Sequence, residues 1–346
     1  MMSEKTLLPT KKEIDDEAAR LEAKGLLQLG GHTEETLLLT AEKTWRINRL
    51  KAQNNAVIPA HVYQRAEILL GIADFTGDSY RLAKLCTEVK AERIVFCGVR
   101  FMAETAKILN PEKTVILPAL EAGCSLAESI TGEDVRKLKA RHPGVPAVCY
   151  INTTADVKAE CDAVVTSANA RTILEKLYRQ HPKLIFLPDE LMGKNLARDL
   201  NKKLGEEMII WKGTCIVHED FDASWVQRYR QEYPGVKILA HTECSPSLVE
   251  IVDFAGGTGD MMKYVKNTDA SYYMLVTECG LGDLARTEFP GKKFVPMCRL
   301  CPYMKSVDLD HVEQALRNPG PDHIIEVSEG IRVKAKKAID AMFALA

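Results

Sequence analysis

The chain has 346 residues and a nearly balanced charge, with 46 basic against 48 acidic residues and a net charge of −2. That length suits two or three domains with a well-buried core, and without a basic patch nothing argues for a nucleic-acid partner. The apolar runs are of strand length, far short of a membrane span. The charged N-terminus MMSEKTLLPTKKEIDDEAARLEAK lacks the apolar core of a signal peptide, so a cytoplasmic protein with no membrane partner is expected.

In chain order, residues 11–30 read as a charged helix that breaks at Gly30-Gly31, and a second helix follows from about Glu34 to Asn54. Together they predict a helical N-terminal extension over 1–54. From there short β-branched runs alternate with amphipathic helices, the pattern of an α/β fold with short, mostly parallel sheets. The strands are expected at 56–62, 93–99, 114–120, 146–152, 163–168, 184–189, 208–213, 237–242, 272–277 and 293–297. So many short strands fit several small sheets better than one open sheet. PEKTVILPALEAGCS, GEEMIIWKGTC and PGKKFVPMCRLC each run from Gly or Pro through charge and an apolar strand to cysteine. NAVIPAHVY, PAVCYIN and VKILAHTE form a second such series. The spacing therefore predicts three similar units, at 55–142, 143–232 and 233–328, and a C-terminal helix over 329–346. Side chains at the carboxyl ends of parallel strands face the crevice where ligands bind in α/β folds. Three facing units would surround one pocket.

Of ten cysteines, Cys86, Cys97, Cys149, Cys161 and Cys279 lie in or beside apolar segments and read as small core residues. Cys124, Cys215 and Cys301 instead sit in Gly- or Pro-marked loops, one per expected unit. Three thiolates hold three irons of a 4Fe-4S cluster and leave the fourth iron open as a Lewis acid. A competing arrangement is a zinc site in which Cys215-x-x-His218 joins Cys298-x-x-Cys301. His61 and Tyr63 stand two apart at a strand end, which puts them on one face if the strand continues. Tyr150 and Asn152, then His241 and Glu243, repeat that alternation. An imidazole and a carboxylate so placed can divide acid and base work. Asp78 or Ser79 reads as a helix N-cap. Further hydroxyl-bearing turns at Thr166–Asn169 and Gly256–Gly259 point to a ligand with more than one anionic group.

Taken in order, eight pieces carry a resemblance: His61–Gln64, Gly77–Ser79, Gly123–Ser125, Tyr150–Asn152, Thr166–Ala170, Gly213–Cys215 with His218, His241–Cys244, and Cys301–Lys305. From about Asn55 to Lys305 the chain resembles quinolinate synthase, the A component of de novo NAD biosynthesis. The resemblance implies three α/β/α sandwich units around a pseudo-threefold axis, with a three-cysteine 4Fe-4S cluster on Cys124, Cys215 and Cys301 and one open iron. It selects Cys301 over Cys298 because Pro-Tyr-Met follows. The implied reaction joins iminoaspartate (iminosuccinate) to dihydroxyacetone phosphate with loss of phosphate and two waters, and an aspartate-oxidising enzyme would supply the imine. His61, Ser79, Tyr150, Ile151, Asn152, Ser167, His241, Thr242, Glu243 and Thr258 would line the substrate site. Residue type and resemblance together put Glu243 and Tyr63 in proton transfer, with His61 and His218 assisting by hydrogen bonds. Two departures stand out: Thr242 replaces the usual Pro, and Gly257 replaces the serine of a usual Gly-Ser-Thr. Cys298 would be free to pair with Cys301 under oxidation and strip the cluster. An open-iron hydro-lyase and a non-catalytic zinc- or cluster-stabilised binding protein are the alternative readings.

Overall fold

Residues 8–346 are described in the computed structural model; the part of the expected N-terminal extension before Leu8 lies outside them. Helix α1 (Lys11–Ala23) starts at Thr10, whose hydroxyl accepts the Glu13 N–H while the Glu13 carboxylate accepts the Thr10 N–H. Gly25, at φ +86°, then turns the chain through a single 3-10 turn. Helix α2 (Glu34–Gln53) packs back on α1 through Leu21, Leu37 and Ala41. The helical extension of two helices is thus present, the first ending at Ala23 with a separate 3-10 turn rather than running on to Gly30.

The first unit contains β1 (Ala56–Val57), β2 (Pro59–His61), β3 (Phe75–Gly77), β4 (Arg93–Val95) and β5 (Thr114–Ile116). β1 pairs with β4, β2 pairs with β3, and a bridge from Ala60 to Cys97 joins the two pieces. In the second unit β6 (Ala147–Tyr150), β7 (Ala163–Val165), β8 (Leu184–Leu187) and β9 (Met208–Ile210) stand in the order β7-β6-β8-β9. In the third, β10 (Val236–His241), β11 (Phe254–Gly256) and β12 (Tyr272–Val276) follow the order β11-β10-β12. Every pairing between these strands is parallel. If β1 and β2 are counted as one interrupted strand, each unit runs second, first, third strand in space, and a fourth run lies beyond the third. The fold is α/β with short parallel sheets, as expected.

Several boundaries differ from the sequence reading. The run 293–297 is not a strand: Phe294 makes one parallel bridge to Tyr273. Pro296 has no N–H to continue the ladder, so pairing stops after Val295. Strands β3 and β11 were not expected, because FTG and FAG are three-residue pieces ending in glycine. The other strands stop short of their apolar runs. β6 (AVCY) and β8 (LIFL) are buried at every position, as parallel strands covered on both faces must be. Burial of a side chain such as Phe186, at the centre of β8, contributes about 3 kcal/mol. Helix α3 (Glu329–Leu345) returns from the C-terminus to pack on β7 and on residues 155–159 of the second unit. Among the described residues no helix is long and apolar enough to cross a membrane.

Candidate active site

One cavity receives the carboxyl ends of strands from all three units. It is lined by His61, Tyr63 and Ser79 from the first, Tyr150, Asn152 and Ser167 from the second, and His241, Glu243 and Thr258 from the third. Cys124, Cys215 and Cys301 line the same cavity, with His218. Ile151 and Thr242 do not line it. Ile151 is buried in the core, and Thr242 turns its carbonyl to the Asn195 amide.

The cysteines share a local geometry. Each precedes a short helical turn, at Ser125–Glu128, at 216–219 and at Pro302–Lys305. Two backbone N–H groups of that turn face the sulfur: those of Leu126 and Ala127, of Val217 and His218, and of Tyr303 and Met304. The three loops also brace one another. The Ser125 hydroxyl donates to the Thr214 carbonyl and accepts the Ile216 N–H. Tyr303 donates to the Glu128 carboxylate, which also accepts the Cys124 N–H. A β-carbon at Gly123 would lie 2.2 Å from the Glu128 oxygen and push that carboxylate off its bonds to Cys124 and Tyr303. Burial pushes the Cys124 thiol up to about 12 and raises Cys215 and Cys301 as well, so loading a metal must release protons. Three soft sulfur donors, each met by N–H groups that stabilise a thiolate, fit an iron–sulfur cluster better than a hard cation.

The zinc arrangement loses a ligand. Cys298 is bonded to Cys279 in a disulfide, and pairs with it rather than with Cys301. Cys279 is therefore not the small core residue expected from its apolar surroundings. The two residues are 19 apart in sequence, and only the fold of the 289–301 loop over the end of β12 brings them together. Cys215, His218 and Glu243 do hold their donor atoms within 4.8 Å of one another, yet both His218 nitrogens are already engaged in a hydrogen-bond chain.

In that chain, Tyr63 Oη lies 2.6 Å from Thr277 Oγ1, and Thr277 Oγ1 lies 2.9 Å from His218 Nε2. His218 Nδ1 is 2.9 Å from one Glu243 oxygen, and Tyr150 donates to the other at 2.6 Å. Burial alone would raise the Glu243 carboxyl. The His218 and His241 imidazoles, with the His218 and Tyr150 hydrogen bonds, outweigh it and hold the group below the usual carboxylate range. An ionised Glu243 must receive the His218 Nδ1–H, which leaves the Nε2 lone pair to accept from Thr277. The Thr277 oxygen can then accept from Tyr63. The sequence reading missed Thr277, which is 1% exposed at the end of β12; a threonine closing a buried strand carries no motif.

The imidazoles at the ends of β2 and β10 are set alike. His61 Nδ1 accepts the Tyr63 N–H at 3.2 Å and His241 Nδ1 accepts the Glu243 N–H at 3.3 Å. Each strand ends at its histidine, so Tyr63 and Glu243 sit in the turn beyond it and not on a continued strand face. The turn is what allows the backbone N–H to reach the ring. Burial lowers His61 to about 3 and His241 to about 4, so both rings are neutral and offer an Nε2–H donor. Buried Lys158 orders the Tyr150–Asn152 turn by donating to the carbonyls of Ile151 and Thr153. Asp78, not Ser79, caps its helix by accepting the Arg81 N–H. Among the described residues, buried Asn152 Oδ1 and Thr166 Oγ1 have no hydrogen-bond partner, and both residues line the cavity, where a polar ligand would satisfy them.

The chain matches the family described as quinolinate synthetase A protein over residues 45–344. It is 46% identical over 296 residues to quinolinate synthase of Sinorhizobium fredii, covering 86% of this chain and 80% of that protein. Quinolinate synthase 2 of Mesorhizobium japonicum is 45% identical over 296 residues, 86% of this chain and 89% of its own. Quinolinate synthase of Xylella fastidiosa is 45% identical over 299 residues, 86% of each chain. With a family match across nearly its whole length, and like identity to several named enzymes, the chain belongs to the quinolinate synthetase A family of enzymes.

Proposed function

We propose that the protein is a quinolinate synthase of NAD biosynthesis that joins iminoaspartate to dihydroxyacetone phosphate, with loss of phosphate and water. The observation that carries this reading is the meeting of three cysteines with Tyr63, His218 and Glu243 in one cavity, drawn from all three units, with Thr277 linking Tyr63 to His218 beside it. The units run over 55–142, 143–232 and 233–328, around a pseudo-threefold axis. Cys124, Cys215 and Cys301 would hold a 4Fe-4S cluster, which when bound supplies an open iron as a Lewis acid toward a substrate hydroxyl or carboxylate.

The side chains do the remaining work. The neutral His61 and His241 rings, the Ser79, Ser167 and Thr258 hydroxyls and the Asn152 amide offer donors and acceptors for two carboxylates and a phosphate. Tyr63 is the acid and base at the substrate. Burial and the Glu243 charge raise its phenol well above the ordinary value, so its proton leaves only through the chain, by way of Thr277 to His218. Glu243 stabilises the imidazolium that forms, and Tyr150 holds Glu243 in place. An aspartate-oxidising enzyme would supply the unstable imine, in the cytoplasm.

The test is anaerobic reconstitution with iron and sulfide, followed by assay with both substrates. Quinolinate and phosphate released in equal amounts support the reading. Turnover of a single hydroxy acid with no quinolinate would favour a hydro-lyase instead.

Gly257 adds a point particular to this chain. A β-carbon there would stand 2.6 Å from Ser167 Oγ. Ser167 thus uses the space that a side chain at that position would fill. Gly257→Ser should displace the Ser167 hydroxyl and raise KM about tenfold, equal to about 1.4 kcal/mol, while kcat changes little. Steady-state kinetics in the loaded enzyme checks this.

A further inference from the structure

The end of β12 does more than supply Thr277. The next residue, Glu278, has a fully buried side chain. One of its oxygens accepts the Gly280 N–H at 2.6 Å, and the other accepts the Cys301 N–H at 3.3 Å. The Lys305 ammonium lies 3.1 Å from that second oxygen. Lys305 also donates to the carbonyls of Tyr63 at 2.6 Å and Gln64 at 3.2 Å. Its three N–H bonds are thereby spent on three acceptors. Two more contacts cross the same joint: Gln64 Nε2 donates to the Met304 carbonyl, and Arg65 donates to the Lys305 carbonyl.

We propose that the pair of buried Glu278 and partly buried Lys305 is a positioning device, locking the Tyr63 turn of the first unit to the Cys301 loop of the third. This rests on the roles given above to Tyr63 and Cys301. Glu278 borders the cavity, but both of its oxygens are taken up by the Gly280 and Cys301 N–H groups and by Lys305. A surface pair would contribute little. A buried pair must be held by further hydrogen bonds, or its desolvation is not offset. Here every one of those bonds ends on a backbone atom of residues 63, 64, 280 or 301, so the charges fix where these segments lie. Tyr63 Oη meets Thr277 Oγ1 at 2.6 Å only while the Tyr63 backbone stays where Lys305 holds it. The Cys301 sulfur keeps its place beside the other two only while its N–H stays on Glu278.

A single replacement would strand a buried charge and is expected to unfold part of the chain. The informative protein is therefore the double variant Glu278→Gln/Lys305→Met, which removes both charges and keeps the bulk. It should melt within a few degrees of the parent. In the cluster-free chain, Cys301 should react with iodoacetamide about fivefold faster relative to Cys124 and Cys215 of the same molecule, as read by peptide mass spectrometry. In the loaded chain, kcat per bound cluster should fall about tenfold or more, with KM within about twofold of the parent. A parental value for either the alkylation ratio or the kcat overturns the proposal. Should the parent itself make no quinolinate, the synthase reading fails. The alkylation ratio, which needs neither cluster nor substrate, would still decide on the pair.

Discussion

Cys215→Ser should give a folded, colourless protein that makes no quinolinate, beside a brown parent with about four irons and four sulfides per chain when purified without oxygen. Folding should survive because the Cys215 sulfur fills no core site: it is half-buried at the cavity wall, next to His218 Nδ1 at 3.2 Å. A serine oxygen is a poor ligand for iron in this setting, and two remaining thiolates cannot hold a cluster made for three. Iron content should fall below about one per chain and activity below detection. Cys86→Ala is the control. Its thiol is fully buried among apolar side chains and raised to about 12 by burial, so its loss costs packing and leaves the iron in place. Four irons retained in Cys215→Ser would remove Cys215 from the ligand set, and with it the three-cysteine centre.

Glu243→Gln and Tyr63→Phe should each lower kcat by about 10²–10⁴-fold with cluster content unchanged, the range for loss of a positioned acid or base. The glutamine side chain would keep the shape but not the charge. Its amide NH₂ would confront either the His218 N–H or the Tyr150 O–H, two donors with no acceptor between them. The Tyr63→Phe change deletes only the hydroxyl that meets Thr277. Because both act through one chain, the double variant should be little worse than the less active single, which is the signature of groups that work as a unit. Additive losses would show that Tyr63 and Glu243 serve separate steps and that the four-residue chain does not carry the proton.

The sequence was informative where chemistry needs a rare residue type at a strand end. His61, Tyr150, His241 and the three cysteines all line the cavity expected of them. It was less informative where a role depends on the backbone. Ile151 and Thr242 belong to motifs whose neighbours line the cavity, but each lies in the turn just past its strand, Ile151 packed in the core and Thr242 with its carbonyl on the Asn195 amide. The turn after His61 and His241, invisible as a pattern of types, is what aims Tyr63 and Glu243.

The order of apolar runs and turns along the chain was by itself enough to determine an α/β fold with a cysteine after the last run of each third, because hydrophobic periodicity and turn residues act locally. Tertiary structure alone decided that Cys298 meets Cys279, that Thr277 bridges Tyr63 to His218, and that Glu278 and Lys305 join the first unit to the third. Those partners lie tens to hundreds of residues apart. Their pairing depends on how packed sheets approach one another in three dimensions, and short-range propensity carries no record of it.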